Sequence, residues 1–195
     1  MFEVFFELRR RMLILYSISS LDAKDQSFLA DLNYIAQCVA DRSQPALTEC
    51  IVQLGIVELS QHVLAETFWR PDLFHEAATL ELVNLVLGVM SCATDGNRLA
   101  CEHVLYVDFQ KDLFEMLRAD KLDPSKVQFD EQRCIIADCI MAVLYNVIQV
   151  CLSQFITIPI LTVNVDVTNE CRLYFNFLLP CQLIDYIRIR DKFDS

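Results

Sequence analysis

Apolar residues recur at steps of three and four along almost the whole chain, which is the spacing of one face of an α-helix. Asp25 or Ser27 is placed to cap the second predicted helix. Pro45 suits the first turn of the third helix, and Gly55 predicts a bend within it. The predicted helices cover residues 2–20, 25–41, 45–68, 73–91, 98–106, 109–119, 130–152, 171–179 and 182–190.

Residues 153–166 depart from this pattern. They are rich in β-branched side chains, contain Pro159 and have no helical stripe. No charged residue occurs from 139 to 165, a stretch long enough to cross a bilayer, but polar side chains interrupt it and Lys or Arg anchors are distant. We therefore expect 153–166 to be an atypical insertion that forms a loop or a ragged helix end, and not to span a membrane.

Three stretches of the chain have the same order of elements, namely a short helix, a break and a second amphipathic helix. They are residues 46–59, 98–109 and 172–184. Each follows a long helix that is apolar on nearly all sides, and such a helix has to be buried on most of its surface. Stacked repeats provide this burial, because each unit covers the core of its neighbour. We predict a single segment over 1–195 with repeat units at 28–69, 73–120 and 130–192.

Two motifs connect this pattern with a known family. Residues 54–59 (LGIVEL) fit a Gly-hydrophobic-x-x-Leu break, and residues 144–147 (LYNV) fit a Leu-x-Asn-hydrophobic signature on a long helix. On these motifs the chain resembles the armadillo repeat over residues 28–192. The resemblance implies an all-α fold, a right-handed α-solenoid of about three repeats, whose long helices line a concave groove that holds an extended peptide.

The predicted units are not regular copies. Val89 stands at the position that Asn146 occupies in the third unit. Val107 or Asp108 takes the place of Gly55 in the second. Equivalent positions lie 52 and then 74 residues apart. A HEAT-like or another helical repeat is therefore an alternative, whereas an unrelated helix bundle does not account for three units in the same order.

Composition supports long helices and bears on the partner. The 3 Gly and 5 Pro residues are too few for the many turns of an all-β fold. The net charge of −11 and the pI of about 4.6 repel nucleic acid and anionic membranes, and they favour a basic protein surface or peptide.

The 9 Cys residues form no Cys-x-x-Cys pair and are typical of small buried hydrophobes in a reducing compartment. Apolar residues precede the N-terminal arginines, the reverse of a signal peptide, so we predict a cytoplasmic protein.

No arrangement of residues in the sequence predicts catalysis. Cys101 and His103 are two positions apart, so on a helix they point about 200° apart and do not pair. Cys134 and Cys139 have no nearby His to complete a zinc site, and no Gly-rich phosphate loop is present. We predict a non-enzymatic protein without a metal or cofactor.

The sparse polar and small positions of the long helices form the predicted binding face, because steps of three and four keep each set on one side of its helix. The sets are Asp31, Tyr34, Cys38 and Asp41, then Glu81, Asn84, Gly88 and Ser91, and finally Asp138, Tyr145, Asn146 and Gln149. An acid begins each set, so we predict a ladder of carboxylates that binds a basic extended segment of another protein. Three alternatives remain: a merely solvated face, a purely structural segment of a larger multidomain protein, or a membrane-associated helical protein.

Overall fold

The computed structural model describes residues 2–17, 25–41, 43–70, 74, 76–122 and 131–157, with side chains up to Cys151 in the last range. The chain divides into a unit of Met1–Gln154 and a unit of Phe155–Ser195, and only the backbone of 155–157 is described in the second. The helices predicted at 171–179 and 182–190 lie outside the described residues, as does the third occurrence of the repeat at 172–184.

Every regular element in this part of the chain is helical, which confirms the all-α class. A short 3-10 turn at Asp120–Leu122 precedes the last helix. The helices are α1 (Phe2–Ser17), α2 (Gln26–Ala40), α3 (Pro45–Gln53), α4 (Ile56–Thr67), α5 (Ala77–Thr94), α6 (Arg98–Tyr106), α7 (Phe109–Arg118) and α8 (Glu131–Thr157).

Local capping signals fix the starts of two helices. The carboxylate of Asp25 accepts hydrogen bonds from the backbone N–H groups of Ser27 (2.8 Å) and Phe28 (3.3 Å), and so caps α2. The side chain of Asn97 caps α6 by accepting from the N–H of Ala100 at 3.1 Å. Each cap satisfies backbone donors that have no partner within the helix.

A single residue in the left-handed backbone region divides each helix pair. Gly55, with φ of 91°, separates α3 from α4, and Asp108, with φ of 60°, separates α6 from α7. Glycine adopts this conformation without a steric penalty, and Asp is among the few other residues that tolerate it. The predicted breaks at Gly55 and at 107–108 are both confirmed.

The start of α5 differs from the prediction. The helix begins at Ala77 and not at 73, because Phe74 lies in the turn before it. The Phe74 ring is buried, with its centroid 4.7 Å from that of Phe68 in an edge-to-face arrangement. Phe74 is therefore an apolar residue that packs within a linker, and its position does not indicate the start of the helix.

The end of α8 also lies beyond the predicted boundary. The helix continues from the predicted end at 152 to Thr157, so the first residues of the segment 153–166 are helical. Thr157 is the last residue of α8 that the structure describes, and it precedes Pro159 by two positions. The remainder of 153–166 lies outside the described residues.

Helices at equivalent places in successive units are neighbours. The helix α2 lies beside α5, α3 beside α6, and α4 beside α7. Gln61 on α4 donates a hydrogen bond to Asp112 on α7 at 2.6 Å, across 51 residues of sequence. Asn84 on α5 donates to Gln132 on α8, across 48 residues. These separations are close to the 52-residue spacing of the first two units in the sequence.

The core is built around α5 and α8. Val89, Ile140, Val143 and Leu144 are buried as predicted, whereas Leu85 is only partly covered. The helix α5 contacts α2, α4 and α6 and is hydrogen-bonded to α8. The buried half of α5 is thus covered by several helices, as hydrophobic burial requires.

Replacement of Leu144 with Ala should lower the free energy of unfolding by about 2–5 kcal/mol, because it leaves a cavity beneath α8. The neighbouring Tyr145 is 58% exposed. Tyr145→Ala is therefore the matched control and should change the stability by about 0.5 kcal/mol or less. Urea denaturation followed by circular dichroism measures both effects, and equal effects of the two substitutions would contradict this core.

Replacement of Gly55 with Ala should destabilise the protein by about 1 kcal/mol or more, because a Cβ is strained at this φ and would collide with the Tyr16 hydroxyl. Gly88→Ala is the control, since a Cβ there meets nothing within 4 Å outside the backbone of its own helix. That variant should be stabilised by up to about 1 kcal/mol. Thermal unfolding compares the two, and a Gly55→Ala variant as stable as Gly88→Ala would show that the break tolerates a side chain.

Candidate partner-binding face

Two of the predicted acids lie on the sides of α5 and α8 that face away from the core. Glu81 on α5 and Asp138 on α8 are exposed, and Tyr145 and Gln149 continue the exposed stripe of α8. At 100° per residue, positions 138, 145 and 149 fall within a sector of about 40°. A ligand that lies across α5 and α8 would therefore meet these side chains together.

The two asparagines of the predicted binding face, Asn84 and Asn146, form hydrogen bonds between α5 and α8. Asn84 donates to Gln132, as described above. The Nδ2 group of Asn146 donates to the carbonyl oxygen of Ser91 at 3.2 Å and to the Oγ1 of Thr94 at 3.0 Å. Both amides are partly buried and join α8 to α5. Sequence reasoning gave them a role toward a partner, and their geometry gives them the role of positioning the exposed residues beside them.

Asp31 differs from the other two acids of the predicted ladder. It is 7% exposed, and its carboxylate accepts a hydrogen bond of 2.5 Å from Nη1 of Arg11 on α1. The first predicted set, with Tyr34, Cys38 and Asp41, is partly covered along its length. The ladder therefore has two exposed acids, Glu81 and Asp138, and a third that is held in an internal ion pair.

The groups around Asp31 form one ionic cluster. Arg11 also donates to Glu7 at 2.7 Å, and its guanidinium lies 4.3 Å from the centroid of the Tyr34 ring. Hydrogen bonding from Arg10 is the main cause that lowers the pKa of Glu7 to about 2, and Arg11 contributes to the shift. Desolvation raises the pKa of the Tyr34 hydroxyl. Two carboxylates thus face two guanidinium groups, which leaves no excess negative charge for a basic ligand at this end of α2.

Sequence reasoning missed the exposed residues of α2. The buried stripe of this helix is Phe28, Leu32, Ile35 and Val39. The opposite side carries Asn33 and Gln37, four residues apart and both exposed. The sequence contained this signal, because a residue opposite the centre of an apolar stripe faces solvent. Asp31 instead lies beside Phe28 and Ile35, its neighbours three residues before and four residues after, at the edge of the stripe.

We call the exposed polar residues on the sides of the three long helices that face away from the core the long-helix face. Its members in the described part of the chain are Gln26, Asn33, Gln37, Glu81, Glu131, Asp138, Tyr145 and Gln149. It combines side-chain amides, three carboxylates and one exposed aromatic ring. Amides bind peptide backbone groups, carboxylates bind Lys or Arg, and a Tyr ring stacks on guanidinium groups.

Cys101 and His103 point to different places, as their spacing predicted. Cys101 is fully buried, its Sγ donates to the carbonyl of Thr94 at 3.4 Å, and burial raises its pKa to about 12. The Nε2 of His103 lies 3.0 Å from a carboxylate oxygen of Glu58 on α4. A buried thiol with a raised pKa is a poor nucleophile. No group of His, Cys, Asp and Glu among the described residues is arranged to hold a metal ion.

Two helices meet the length and composition of a membrane span. They are Ala77–Thr94 and Glu131–Cys151, and 56% and 39% of the respective windows are buried inside the protein. Core helices of soluble proteins pass the same test. The first coincides with α5, whose buried sides are covered by other helices.

Replacement of Arg11 with Met should destabilise the protein by about 3 kcal/mol, because it leaves the carboxylate of Asp31 buried without its partner. The double variant Arg11→Met with Asp31→Leu removes both charges and should recover most of that loss. Arg98→Met is the control, since the exposed pair of Arg98 and Glu102 should contribute about 0.5 kcal/mol or less. Equilibrium denaturation at neutral pH measures all three, and equal losses in the single and double variants would contradict the inferred role of the pair.

Comparison with known proteins adds no relative to this description. No family model matches the chain, and no curated protein or solved structure matches it either. The resemblance to the armadillo repeat therefore depends on the motifs of the chain itself.

Proposed function

We propose that the chain is a non-enzymatic, armadillo-like scaffold whose long-helix face binds a basic, extended segment of a partner protein. The observation that carries the proposal is the pairing of equivalent helices in successive units, which aligns α5 beside both α2 and α8. Such an alignment brings the exposed sides of the long helices into one continuous surface. It also supports a right-handed α-solenoid, the arrangement that the motif resemblance implies.

The order of contacts along α5 and α8 supports parallel long helices. Asn84 precedes Thr94 on α5, and their partners Gln132 and Asn146 follow the same order on α8. Parallel equivalent helices are what a repeat stack requires, because each unit has the same orientation as its neighbour. Glu81 and Asp138 then lie on neighbouring helices that form part of the same surface.

The distance between Glu81 and Asp138 determines how far apart the basic residues of a bound peptide would have to be. Packed helices have axes about 8–10 Å apart, and an extended chain covers about 3.3 Å per residue. Asn84 and Thr94 contact residues 48 and 52 positions later on α8, whereas Asp138 follows Glu81 by 57, so Asp138 lies about 8–14 Å farther along the helix axis. The two acids are therefore about 11–17 Å apart, and a peptide that crosses from α5 to α8 advances about four residues between them. Lys or Arg at every fourth position would meet Glu81 and Asp138 in turn. The side-chain amides of Asn33 and Gln37 suit the backbone groups of a segment that continues over α2.

Charge and exposure set the strength of the interaction. Two charge-assisted contacts contribute about 3 kcal/mol if partly desolvated, whereas fully exposed pairs contribute less than about 1 kcal/mol each. Glu81 and Asp138 are exposed, so the affinity should be modest and should fall as salt rises. The charge of −11 over the whole chain adds a long-range attraction for a basic partner.

The test uses the peptide acetyl-Lys-Gly-Ser-Gly-Lys-Gly-Ser-Gly-Lys-amide and its counterpart with Glu in place of Lys. Calorimetric titration should detect binding of the Lys peptide alone, weakened about tenfold in Glu81→Ala with Asp138→Ala, since each lost contact is worth about 0.7 kcal/mol. Glu115→Ala on α7 is the matched control, because it removes an exposed acid from a different face.

Three outcomes would contradict the proposal. They are unchanged binding in the double variant, equal weakening by Glu115→Ala, and docking of a partner on α7. Recovery of the expressed protein only with membranes and detergent would instead favour the membrane-associated alternative, for which the apolar length of α5 and α8 is the supporting observation.

A further inference from the structure

A second surface feature lies between α3 and α6, away from the residues of the long-helix face. Two depressions of about 670 Å³ and 340 Å³ adjoin here and share Leu99 and Glu102 in their walls. The larger one extends to the ends of α2 and α5, and the smaller one follows the facing sides of α3 and α6. We call the two together the α3–α6 groove. Each depression has a volume within the range of about 300–1,000 Å³ that is typical of binding pockets.

The smaller depression is the apolar end of the groove. Val52 forms part of its floor and is buried, while Leu99 and Tyr106 rise beside it and are 40% and 84% exposed. A Tyr ring exposed to this degree at the mouth of an apolar depression has a large surface to lose on binding. His103 also lines this end, and its Nε2 is held 3.0 Å from the carboxylate of Glu58.

The larger depression is the acidic end of the groove. Glu49, Asp95 and Glu102 line it, against the single cation Arg98 among its lining residues. Arg98 lies 2.6 Å from Glu102, so its charge is matched within the wall. The remaining excess is negative, in a chain whose net charge is −11. A groove with an apolar end next to an acidic end favours a ligand in which an apolar group lies next to a basic group.

We propose that the α3–α6 groove binds a short extended segment of a partner protein that carries an aromatic side chain followed closely by Lys or Arg. The aromatic group packs against Val52, Leu99 and Tyr106, and the basic group lies near Glu49. A basic segment fits better than a neutral apolar ligand, because carboxylates line the larger part of the groove. The segment excludes water from the apolar end, and the ion pairs fix its direction.

This inference is independent of the function proposed for the long-helix face. The groove is built from α3, α6 and helix ends, and it contains neither Glu81 nor Asp138. Each surface therefore has its own variants, and binding can fail at one while it persists at the other.

The test is a titration monitored by fluorescence anisotropy with labelled acetyl-Gly-Phe-Gly-Lys-Lys-Gly-amide. Two control peptides carry Ser in place of Phe, or Glu in place of both Lys. The first peptide should bind about fivefold or more tightly than either control, and its affinity should fall between about 0.05 M and 0.5 M salt. Tyr106→Ala and Glu49→Lys should each weaken binding about fivefold or more, and both change exposed side chains, so the fold is retained.

Phe6→Ala and Glu115→Lys are the matched controls, an exposed aromatic and an exposed acid that lie outside both the groove and the long-helix face. Both should bind the peptide as the unmodified protein does. Equal affinity for the three peptides would overturn the proposal. Equal weakening by Tyr106→Ala and Phe6→Ala would do the same. A concentration-dependent dimer in sedimentation that Tyr106→Ala abolishes would assign the groove to a second copy of the chain and would also overturn it.

Discussion

The helix α5 has buried residues over about half of its circumference, and the rest of the fold is arranged to cover them. Ten of its 18 residues are buried, among them Leu82, Val86 and Met90. One neighbouring helix covers only one stripe, so a helix of this kind needs several neighbours at once. The helices α2, α4 and α6 supply them, and α8 is tied to it by hydrogen bonds. The requirement of α5 for enclosure thus determines which helices meet.

Polar groups inside this enclosure are satisfied locally. The buried hydroxyls of Ser60, Thr67 and Thr94 each donate to the carbonyl oxygen four residues earlier in their own helix, at 2.6–2.9 Å. They therefore place no demand on neighbouring helices, and the surfaces that meet remain largely apolar. Thr94 has a second role, since its oxygen also accepts from Asn146 on α8. That bond, together with those from Asn146 to Ser91 and from Asn84 to Gln132, makes the contact between two largely apolar helices specific.

Features that depend on residues close together in sequence were predicted correctly, whereas features that depend on contacts formed by folding were not. The bounds of α6 and the break before α7 depend on a cap and one left-handed residue, both readable within a few positions. The start of α5 was misplaced because the apolar Phe74 packs in a turn. Asp31 was assigned to a binding face because its partner Arg11 lies 20 residues away, across a turn between helices. The α3–α6 groove forms only when α3 and α6 pack against each other, so no local sequence pattern predicts it.

The two breaks have the same backbone geometry but a different chemical basis. At the first, the absence of a side chain permits the left-handed turn. At the second, Asp108 is 2.9 Å from the amino group of Lys111, and that hydrogen bond is the main cause that lowers the pKa of its carboxyl group. The contact is complete above the ordinary pKa of a carboxyl group and weakens as the pH falls through the lowered value. Acidification therefore weakens a contact made by the left-handed residue of the joint between α6 and α7, whereas the left-handed residue of the other joint has no ionisable side chain. The two joints of one repeated design thus depend on the pH of the solvent in different ways.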